Sequence, residues 1–267
     1  MTGSPARDLP AAKSARNEPV RATLPCHSVS LALVLSAGGM YAAWEVGVWK
    51  ALRERLQWDM VVGTSAGAWN GWAIAGGCTP DELIAEWMDP SAGTIMRPGL
   101  HRAGILRPKV LHEKARDLFA RFQPRTAFGL TLSEVPRLRP RLVRGPEITW
   151  RHLAAACSIP LCFPPVEIAG QHFLDGGLLG ALPLWAAEEM GATHAIAVNV
   201  LNIMPFTLLR AIIRPRRASG GLKVFAIEPS RALGSLRDAV VWSPAHMASW
   251  IEQGERDGNR AATSITM

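Results

Sequence analysis

Asp59-Met-Val-Val-Gly-Thr-Ser-Ala-Gly67 is the stretch that decides the fold, because it joins a short apolar strand to a helix-like segment through two glycines. The serine of this G-x-S-x-G pattern, Ser65, would lie on a sharp turn at the end of a sheet, in the position of a nucleophile elbow. Gly63 and Gly67 have no Cβ, so neighbouring backbone can approach closely. A glycine-rich turn with an incidental serine would give the same pattern, so other segments must decide between the two interpretations.

A second turn of small residues, Ser36-Ala-Gly-Gly-Met40, follows the apolar run Leu31–Leu35 and precedes a helical pattern. Such a turn presents backbone N–H groups at a helix N-terminus, where an anion is stabilised. Acyl transfer needs an oxyanion hole of this kind, donated by a loop separate from the nucleophile. A phosphate-binding loop and simple strand–helix packing are the alternatives. The dinucleotide fingerprint and the P-loop sequence are both absent, which weakens the nucleotide alternative.

A third segment, Phe173-Leu-Asp-Gly-Gly177, places a carboxylate before two glycines. The preceding residues predict a hairpin that turns at Gly170 and delivers Asp175 at the end of a strand. An ordinary Asp-Gly turn would look the same in isolation. A serine nucleophile, however, needs a base within hydrogen-bonding reach.

Taken in chain order, as the turn at Ser36–Met40, the G-x-S-x-G of Ser65 and the Asp-Gly-Gly of Asp175, the three segments resemble the patatin-like phospholipases, and the resemblance extends from about Ser30 to Val200. It implies a Ser–Asp dyad, with Ser65 as the nucleophile and Asp175 as the base. The stretch Ala154–Pro165 also resembles the segment that precedes this aspartate in the family. The oxyanion motif of the family falls on Ser36–Ala42, and the resemblance implies that the expected oxyanion donors are the amides of Gly38, Gly39 and Met40.

The chain departs from the family pattern at two positions of the oxyanion motif. The family usually has Gly-Gly-Gly-x-Arg/Lys-Gly, whereas Tyr41 stands here at the basic position and Ala42 at the last glycine. We expect this change to affect how strongly an oxyanion is stabilised. After the aspartate, Gly180-Ala181 stands where an asparagine is common.

The resemblance implies a lipid acyl ester hydrolase of the phospholipase A or lysophospholipase type that needs neither cofactor nor metal. Trp69, one turn after Ser65, is expected to line an acyl-chain pocket. Two alternatives stay open. The first is a patatin-fold protein with weakened catalysis that binds anionic lipid surfaces. The second is a Ser–Asp–His triad esterase, in which His246 follows Ser65 and Asp175 in the required order.

Composition favours one α/β domain with a mostly parallel central sheet covered by helices on both faces. The chain has 267 residues, of which 48% are hydrophobic and 19% charged, so a large core is available. Residues 1–27 mix proline with basic residues and predict a flexible tail, and residues 28–267 form the expected single domain. Apolar patterns predict strands near 29–35, 59–62, 166–169, 171–174, 193–199 and 222–228, and helices near 42–56, 66–76, 80–88, 108–122, 148–156, 183–190 and 244–260.

The formal net charge of +7 is concentrated between Arg97 and Arg144, where the only acids are Glu113, Asp117 and Glu134. Apolar residues are interleaved there, so we interpret 97–144 as an arginine-rich insertion or lid. Peripheral contact with an anionic membrane is one function of such a surface. A solvated basic face is an equally simple explanation, and a nucleic-acid patch is the least favoured one.

The four cysteines, Cys26, Cys78, Cys157 and Cys162, contain no C-x-x-C pair and no metal-ligand spacing. Free thiols fit a reducing compartment. The first residues contain no apolar run typical of a signal peptide, and no apolar stretch reaches membrane-spanning length. The sequence therefore predicts a cytoplasmic protein with peripheral membrane contact.

Overall fold

The structure is a computed structural model and describes residues 29–96, 98–101, 104–106, 108–200, 216 and 218–265. The expected tail at 1–27 lies outside the described residues. The strands are β1 (Leu31–Leu35), β2 (Met60–Thr64), β3 (Pro98–His101), β4 (Gly104–Leu106), β5 (Ala127–Val135), β6 (Arg139–Arg144), β7 (Val166–Ile168), β8 (Gln171–Asp175), β9 (His194–Val198) and β10 (Lys223–Ile227). The helices are α1 (Ala42–Leu52), α2 (Ala66–Ala75), α3 (Pro80–Met88), α4 (Pro108–Arg121), α5 (Trp150–Ala156), α6 (Leu184–Glu189) and α7 (Pro244–Ala262).

The central sheet contains eight of these strands, and β10, β9, β1, β2 and β5 pair in parallel in that order. Alternate residues of β1 enter two different cores, because successive side chains of a strand point to opposite faces. Leu31, Leu33 and Leu35 pack with α1, α2 and α7 on one face. Ala32 and Val34 pack with α6 on the other. The prediction of an α/β fold with a mostly parallel sheet between helices is confirmed.

Strands β2 and β8 meet end to end along one edge of β5. Thr64, the last residue of β2, pairs with Thr131 in parallel register, and Asp175, the last residue of β8, pairs with the next residue, Leu132, in antiparallel register. The other edge of β5 is taken by β6, which pairs with residues 129–134. The carboxyl ends of β2 and β8 therefore point towards each other, so this register brings Ser65 next to Asp175.

Four strands, β3 to β6, were missing from the sequence prediction, and all of them lie within 97–144, which was interpreted as an insertion or lid. β5 is buried in the middle of the sheet, whereas β6 is an edge strand with exposed Arg139, Arg141 and Arg144. Charged residues commonly protect an edge strand from pairing with other chains. Residues 127–144 therefore belong largely to the sheet, and among the described residues of 97–144 the β3–β4 hairpin and α4 remain as the parts of the expected lid.

Within the described part of the chain, no helix is both long enough and apolar enough to cross a membrane. The cytoplasmic location stays a prediction. Cys78, Cys157 and Cys162 are free thiols, and Cys26 lies outside the described residues.

Candidate active site

Ser65 lies in a strained backbone conformation between β2 and α2, with φ of 57° and ψ of −131°. A residue other than glycine rarely adopts a positive φ, and such strain is often found at functional sites. The flanking glycines make the turn possible. A Cβ on Gly63 would lie 2.4 Å from the carbonyl oxygen of Gly67, and a Cβ on Gly67 would lie 2.3 Å from that of Ser36. Gly63 and Gly67 thus permit the tight connection on which Ser65 lies, and its role as the nucleophile of an elbow stays a prediction.

The hydroxyl of Ser65 donates a hydrogen bond to Oδ2 of Asp175 at 2.6 Å, and both residues are 5% exposed. Further hydrogen bonds to the side chain and the backbone of Asp175 hold it in place. Its Oδ1 accepts the amide of Gly177 at 2.7 Å, and its carbonyl accepts the hydroxyl of Ser133 at 2.9 Å. Its amide donates to the carbonyl of Ser158 at 3.0 Å. Although the asparagine of the family is missing, these contacts fix the orientation of the carboxylate.

Burial raises the pKa of Asp175 to about 6, while the hydrogen bonds from Ser65 and Gly177 lower it in part. Desolvation disfavours the charged carboxylate, and donated hydrogen bonds favour it. The side chain is thus mostly ionised at neutral pH and is more basic than an exposed aspartate. This is the environment that a carboxylate needs in order to accept a proton from a hydroxyl.

The glycine turn, Ser36–Met40, lies beside Ser65 and is fixed by its own backbone bonds. The amide of Met40 donates to the carbonyl of Ala239 at 2.8 Å. Met40 was expected to be a third oxyanion donor, and this expectation is wrong for the described conformation because its N–H is already engaged. Within the described residues, the amides of Gly38 and Gly39 donate to no backbone carbonyl. They remain the candidate donors of this turn.

Both glycines of the turn are required by close packing. A Cβ on Gly38 would lie 2.2 Å from the side chain of Val200, and one on Gly39 would lie 2.3 Å from the carbonyl oxygen of Ala239. Gly39 also has a positive φ of 56°. Larger residues would displace the turn from Ser65.

Tyr41, which replaces the basic residue of the family motif, is buried away from the cavity beside Ser65. Its hydroxyl donates to the carbonyl of Ser235, and its ring packs edge-on against Trp250 at 4.9 Å. Burial raises the pKa of Tyr41, and the negative charge of Asp238 adds to this effect. We expected the side chain at position 41 to affect how strongly the oxyanion is stabilised. In the structure the side chain of Tyr41 has a packing role instead.

A mainly apolar cavity with a volume of about 130 Å³ extends from Ser65. Trp69 lines it as predicted and is fixed by a 2.8 Å hydrogen bond from Nε1 to the carbonyl of Leu153. Charged groups also contribute to the lining, namely Glu86, Lys114 and Asp117. The cavity thus places an apolar wall directly beside the serine hydroxyl.

Cys157, for which no functional role was expected, also lines the cavity. Burial and the charge of Asp175 raise the pKa of this thiol well above its usual value, while a hydrogen bond with Ser65 lowers it in part. The thiol is therefore neutral beside the Ser65–Asp175 pair. The only sequence signal that Cys157 lies near the site was its position within Ala154–Pro165, the segment that resembles the one before the aspartate of the family.

His246 does not complete a triad with these residues. Its Nδ1 lies 3.8 Å from Oδ1 of Asp238, and its ring packs against Trp250 at 5.2 Å. The side chain of Asp175 contacts Ser65 and Gly177 instead. The alternative of a triad with His246 is wrong for this geometry.

A mostly parallel sheet between helices, with Ser65 on a strained connection between β2 and α2, defines the chain as an α/β protein. A family model for patatin-like phospholipases matches residues 33–188, more than half of the chain, and the chain belongs to this family.

Relatives of known sequence match the same region. An uncharacterized NTE family protein of Mycobacterium tuberculosis is 29% identical over 189 residues, covering 65% of this chain and 49% of the relative. Lysophospholipase nte1 of Aspergillus terreus is 29% identical over 187 residues, covering 65% of this chain but 12% of the relative. The chain therefore spans about half the length of the mycobacterial relative and a small part of the fungal one.

Among solved structures, VipD from Legionella pneumophila is similar in fold, with a TM-score of 0.50. The match covers 88% of this chain and 67% of VipD at 12% sequence identity. It supports the fold assignment alone.

Proposed function

We propose that this protein hydrolyses the acyl esters of lipids, as a phospholipase A or lysophospholipase, through a Ser65–Asp175 dyad. The observation that carries the proposal is the buried 2.6 Å hydrogen bond between the two side chains, with Ser65 held in the strained conformation of an elbow. Family membership supports a lipid substrate. The apolar cavity beside Ser65 supports binding of an acyl chain. The name of the fungal relative supports the lysophospholipase type.

In the proposed reaction, Ser65 Oγ attacks the ester carbonyl while its proton passes to Oδ2 of Asp175. The amides of Gly38 and Gly39 stabilise the resulting oxyanion, which is the role of preorganised donors in acyl transfer. The tetrahedral intermediate then expels the alcohol, which takes the proton from Asp175, and leaves an acyl group on Ser65. Asp175 next accepts a proton from water, whose oxygen attacks the acyl carbonyl. The second tetrahedral intermediate expels Ser65 Oγ, which takes the proton back from Asp175, and the fatty acid is released. These steps use only protein groups and water.

A single domain over residues 28–267, preceded by a tail at 1–27 and with α4 beside the cavity, is the domain arrangement that this proposal uses. Leu111 and Leu118 of α4 line the cavity together with Ser65. A covering role for α4 would place apolar side chains around an acyl chain. Peripheral contact with an anionic membrane belongs to the same proposal and would bring the substrate to this cavity.

The test combines active-site labelling with a direct assay. A fluorophosphonate probe should label the wild type, and Ser65→Ala should lose both the label and the release of fatty acid from a lysophospholipid. Ser264→Ala, which removes an exposed hydroxyl near the end of α7, is the matched control and should keep both. Labelling or turnover that survives in Ser65→Ala would overturn the proposal. A correctly folded wild type that binds lipid vesicles without turnover would favour the weakened, lipid-binding alternative.

A further inference from the structure

Glu45 is a fully buried carboxyl group behind the candidate site, on α1, and the proposed reaction does not use it. Its Oε1 lies 3.3 Å from the hydroxyl of Ser36, and its Oε2 accepts a hydrogen bond from Nδ2 of Asn70 at 3.1 Å. Unpaired charged groups are very rarely buried so completely, because desolvation disfavours them. Such a residue needs a structural or functional reason.

Both partners of Glu45 belong to the elements that form the site. Ser36 begins the glycine turn, and its hydroxyl also accepts the amide of Val200 at 3.0 Å. Val200 is the side chain against which Gly38 packs. The contact between Glu45 and Ser36 is therefore linked, through Val200, to the position of Gly38, one of the candidate oxyanion donors.

The second partner of Glu45 connects it to α2, the helix that follows Ser65. Asn70 lies on α2 and lines the same cavity as Ser65. Its Nδ2 also donates to the carbonyl of Ala42 at 2.9 Å, and its Oδ1 accepts Nε1 of Trp87 at 2.8 Å. Glu45 is thus the point at which the glycine turn and the elbow helix are joined by polar contacts.

We propose that Glu45 is a positioning residue of this site, which holds the glycine turn and α2 in register with each other and does so as the neutral acid. This inference rests on the proposed function, because its effect is measured through turnover at Ser65. The hydroxyl of Ser36 and Nδ2 of Asn70 are the donors in the two contacts, and a neutral carboxyl keeps acceptor capacity for both.

The surroundings of Glu45 favour the neutral form. Burial raises its pKa to about 8, and the contacts with Asn70 and Ser36 lower it in part. The groups that contact it are uncharged. Ionisable groups on the elements packed around α1 have other partners, namely Asp257 with Trp44, Glu255 with Lys50, Glu86 with Arg121 and Asp175 with Ser65.

An ionised Glu45 would oppose the reaction. Its charge would lie between Ser36 of the glycine turn, which carries the candidate oxyanion donors, and Asn70 of α2, the helix that follows Ser65. Like charges in a poorly solvated interior repel each other strongly, so the transition state would be disfavoured more than the bound substrate. The effect should therefore fall on kcat rather than on KM.

The experiment compares the wild type with Glu45→Gln, which keeps both hydrogen-bonding contacts but cannot ionise, and with Glu45→Ala, which removes them. Glu54→Gln is the matched control, because it makes the same change at an exposed position just after α1. Turnover of a soluble short-chain ester is measured from about pH 7 to about pH 9, with Ser65→Ala as the background. A group with a pKa of about 8 should lower the wild-type kcat about tenfold over this range.

We expect Glu45→Gln to match the wild type near pH 7 within about threefold and to lose the alkaline decline in kcat, while Glu54→Gln declines like the wild type. Glu45→Ala should lose kcat at every pH with KM nearly unchanged. An alkaline decline that is equally steep in Glu45→Gln would overturn the inference, as would a loss at pH 7 as large in Glu45→Gln as in Glu45→Ala. Turnover that survives in Ser65→Ala would show that the proposed function is wrong, and this outcome is distinct from the two that would overturn the inference about Glu45.

Discussion

Ser65 Oγ and Asp175 Oδ2 are 2.6 Å apart although 110 positions separate the two residues in the chain. The cause is the register on β5. β2 ends opposite Thr131, and β8, which runs the other way, ends opposite Leu132. A shift of either strand by one residue would reverse the facing of its side chains and separate the pair. The sheet itself, more than the loops, therefore sets the distance between these two groups.

Asp175→Asn should lower turnover at neutral pH by at least about 100-fold, the range expected for loss of a general base. The change is nearly isosteric, and an amide oxygen can still accept the N–H of Gly177. Steady-state kinetics on a soluble ester, with circular dichroism as a check of folding, measure the effect. Turnover above half of the wild-type value in a folded Asp175→Asn variant would rule out the dyad.

The raised pKa of Asp175 also predicts how stability changes with pH. Folding shifts this pKa from 3.8 to about 6, so the folded state binds the proton more tightly than the unfolded state. The carboxyl therefore makes the wild type progressively less stable as pH rises from about 4 to about 6, by up to about 3 kcal/mol. Asp175→Asn lacks this effect and should be the more stable protein at neutral pH.

Urea denaturation of both proteins at several pH values measures this difference. The stability advantage of Asp175→Asn should be small near pH 4 and complete above about pH 7. In the wild type, kcat/KM should fall as pH drops through about 6, because protonated Asp175 cannot accept the proton of Ser65. A pH-independent stability difference would contradict the assignment of the raised pKa.

The glycines of the elbow should not tolerate even a methyl group. Gly63→Ala and Gly67→Ala place a Cβ 2.4 Å and 2.3 Å from backbone carbonyl oxygens, and overpacking of this kind costs typically about 1–3 kcal/mol. Because the strain falls next to Ser65, turnover should decrease more than stability. Gly180→Ala is the matched control, since its added Cβ would meet nothing closer than 3.9 Å. Equal activity of all three variants would contradict the elbow geometry.

The elbow, the position of Asp175 and most strands could be predicted because each is a local pattern. The glycines around Ser65 mark a turn that other residues cannot form, and the Asp-Gly-Gly sequence marks the end of a strand. The parallel strands β1 and β9 are short apolar runs, which are the usual signature of strands buried on both faces.

The remaining features depend on contacts between distant segments. β6 was missed because its exposed arginines make an edge strand look like a basic surface segment. The engagement of Met40 depends on the carbonyl of Ala239, about 200 positions away in sequence. Glu45 is the only charged residue between Ser36 and Trp49, which is a signal for an unusual buried group, but its partners are known only from the fold.

Replacement of Tyr41 should test packing rather than catalysis. Tyr41→Phe removes the hydrogen bond to the carbonyl of Ser235 and should cost about 1 kcal/mol of stability with little change in KM. Tyr41→Arg, which restores the basic residue of the family, buries a charge against Trp250 and should cost clearly more. Thermal denaturation separates the two variants. A Tyr41→Arg protein that is as stable as the wild type and more active would show that position 41 does reach the oxyanion.

The edge of the sheet formed by β6 presents a basic strip, which consists of the exposed residues Arg137, Arg139, Arg141 and Arg144. Two explanations account for it. The charges protect an edge strand from pairing, or they bring the protein to an anionic membrane, where each basic residue contributes about 1 kcal/mol near the surface. Lys114 pairs with Asp89 and Arg121 with Glu86 elsewhere in the expected insertion, and within the strip Arg137 pairs with Glu134 and Arg144 donates to the carbonyl of Glu189. The basic strip is the surface to test because its four arginines are exposed and follow one another along a single edge of the sheet.

The test replaces all four arginines of the basic strip with Gln and measures sedimentation with vesicles that contain anionic phospholipid. We expect binding of the wild type to weaken clearly between about 0.15 M and about 0.5 M salt, because the screening length is only about 8 Å at the lower concentration. The variant should bind less at low salt and keep its turnover of a soluble ester. The control removes four exposed arginines on and next to α1 and α7, Arg53, Arg55, Arg256 and Arg260, and thus makes the same change in net charge.

If the basic strip docks on the membrane, its variant loses more vesicle binding than the control variant does. If net charge alone attracts the protein, the two variants weaken equally, and the proposed membrane contact at β6 is wrong. Aggregation of the strip variant with unchanged vesicle binding would instead support the protective role of charge on an edge strand. Because β6 pairs with β5 on the edge opposite Asp175, none of these outcomes requires a change in the Ser65–Asp175 pair, and turnover of a soluble ester reports separately on that pair.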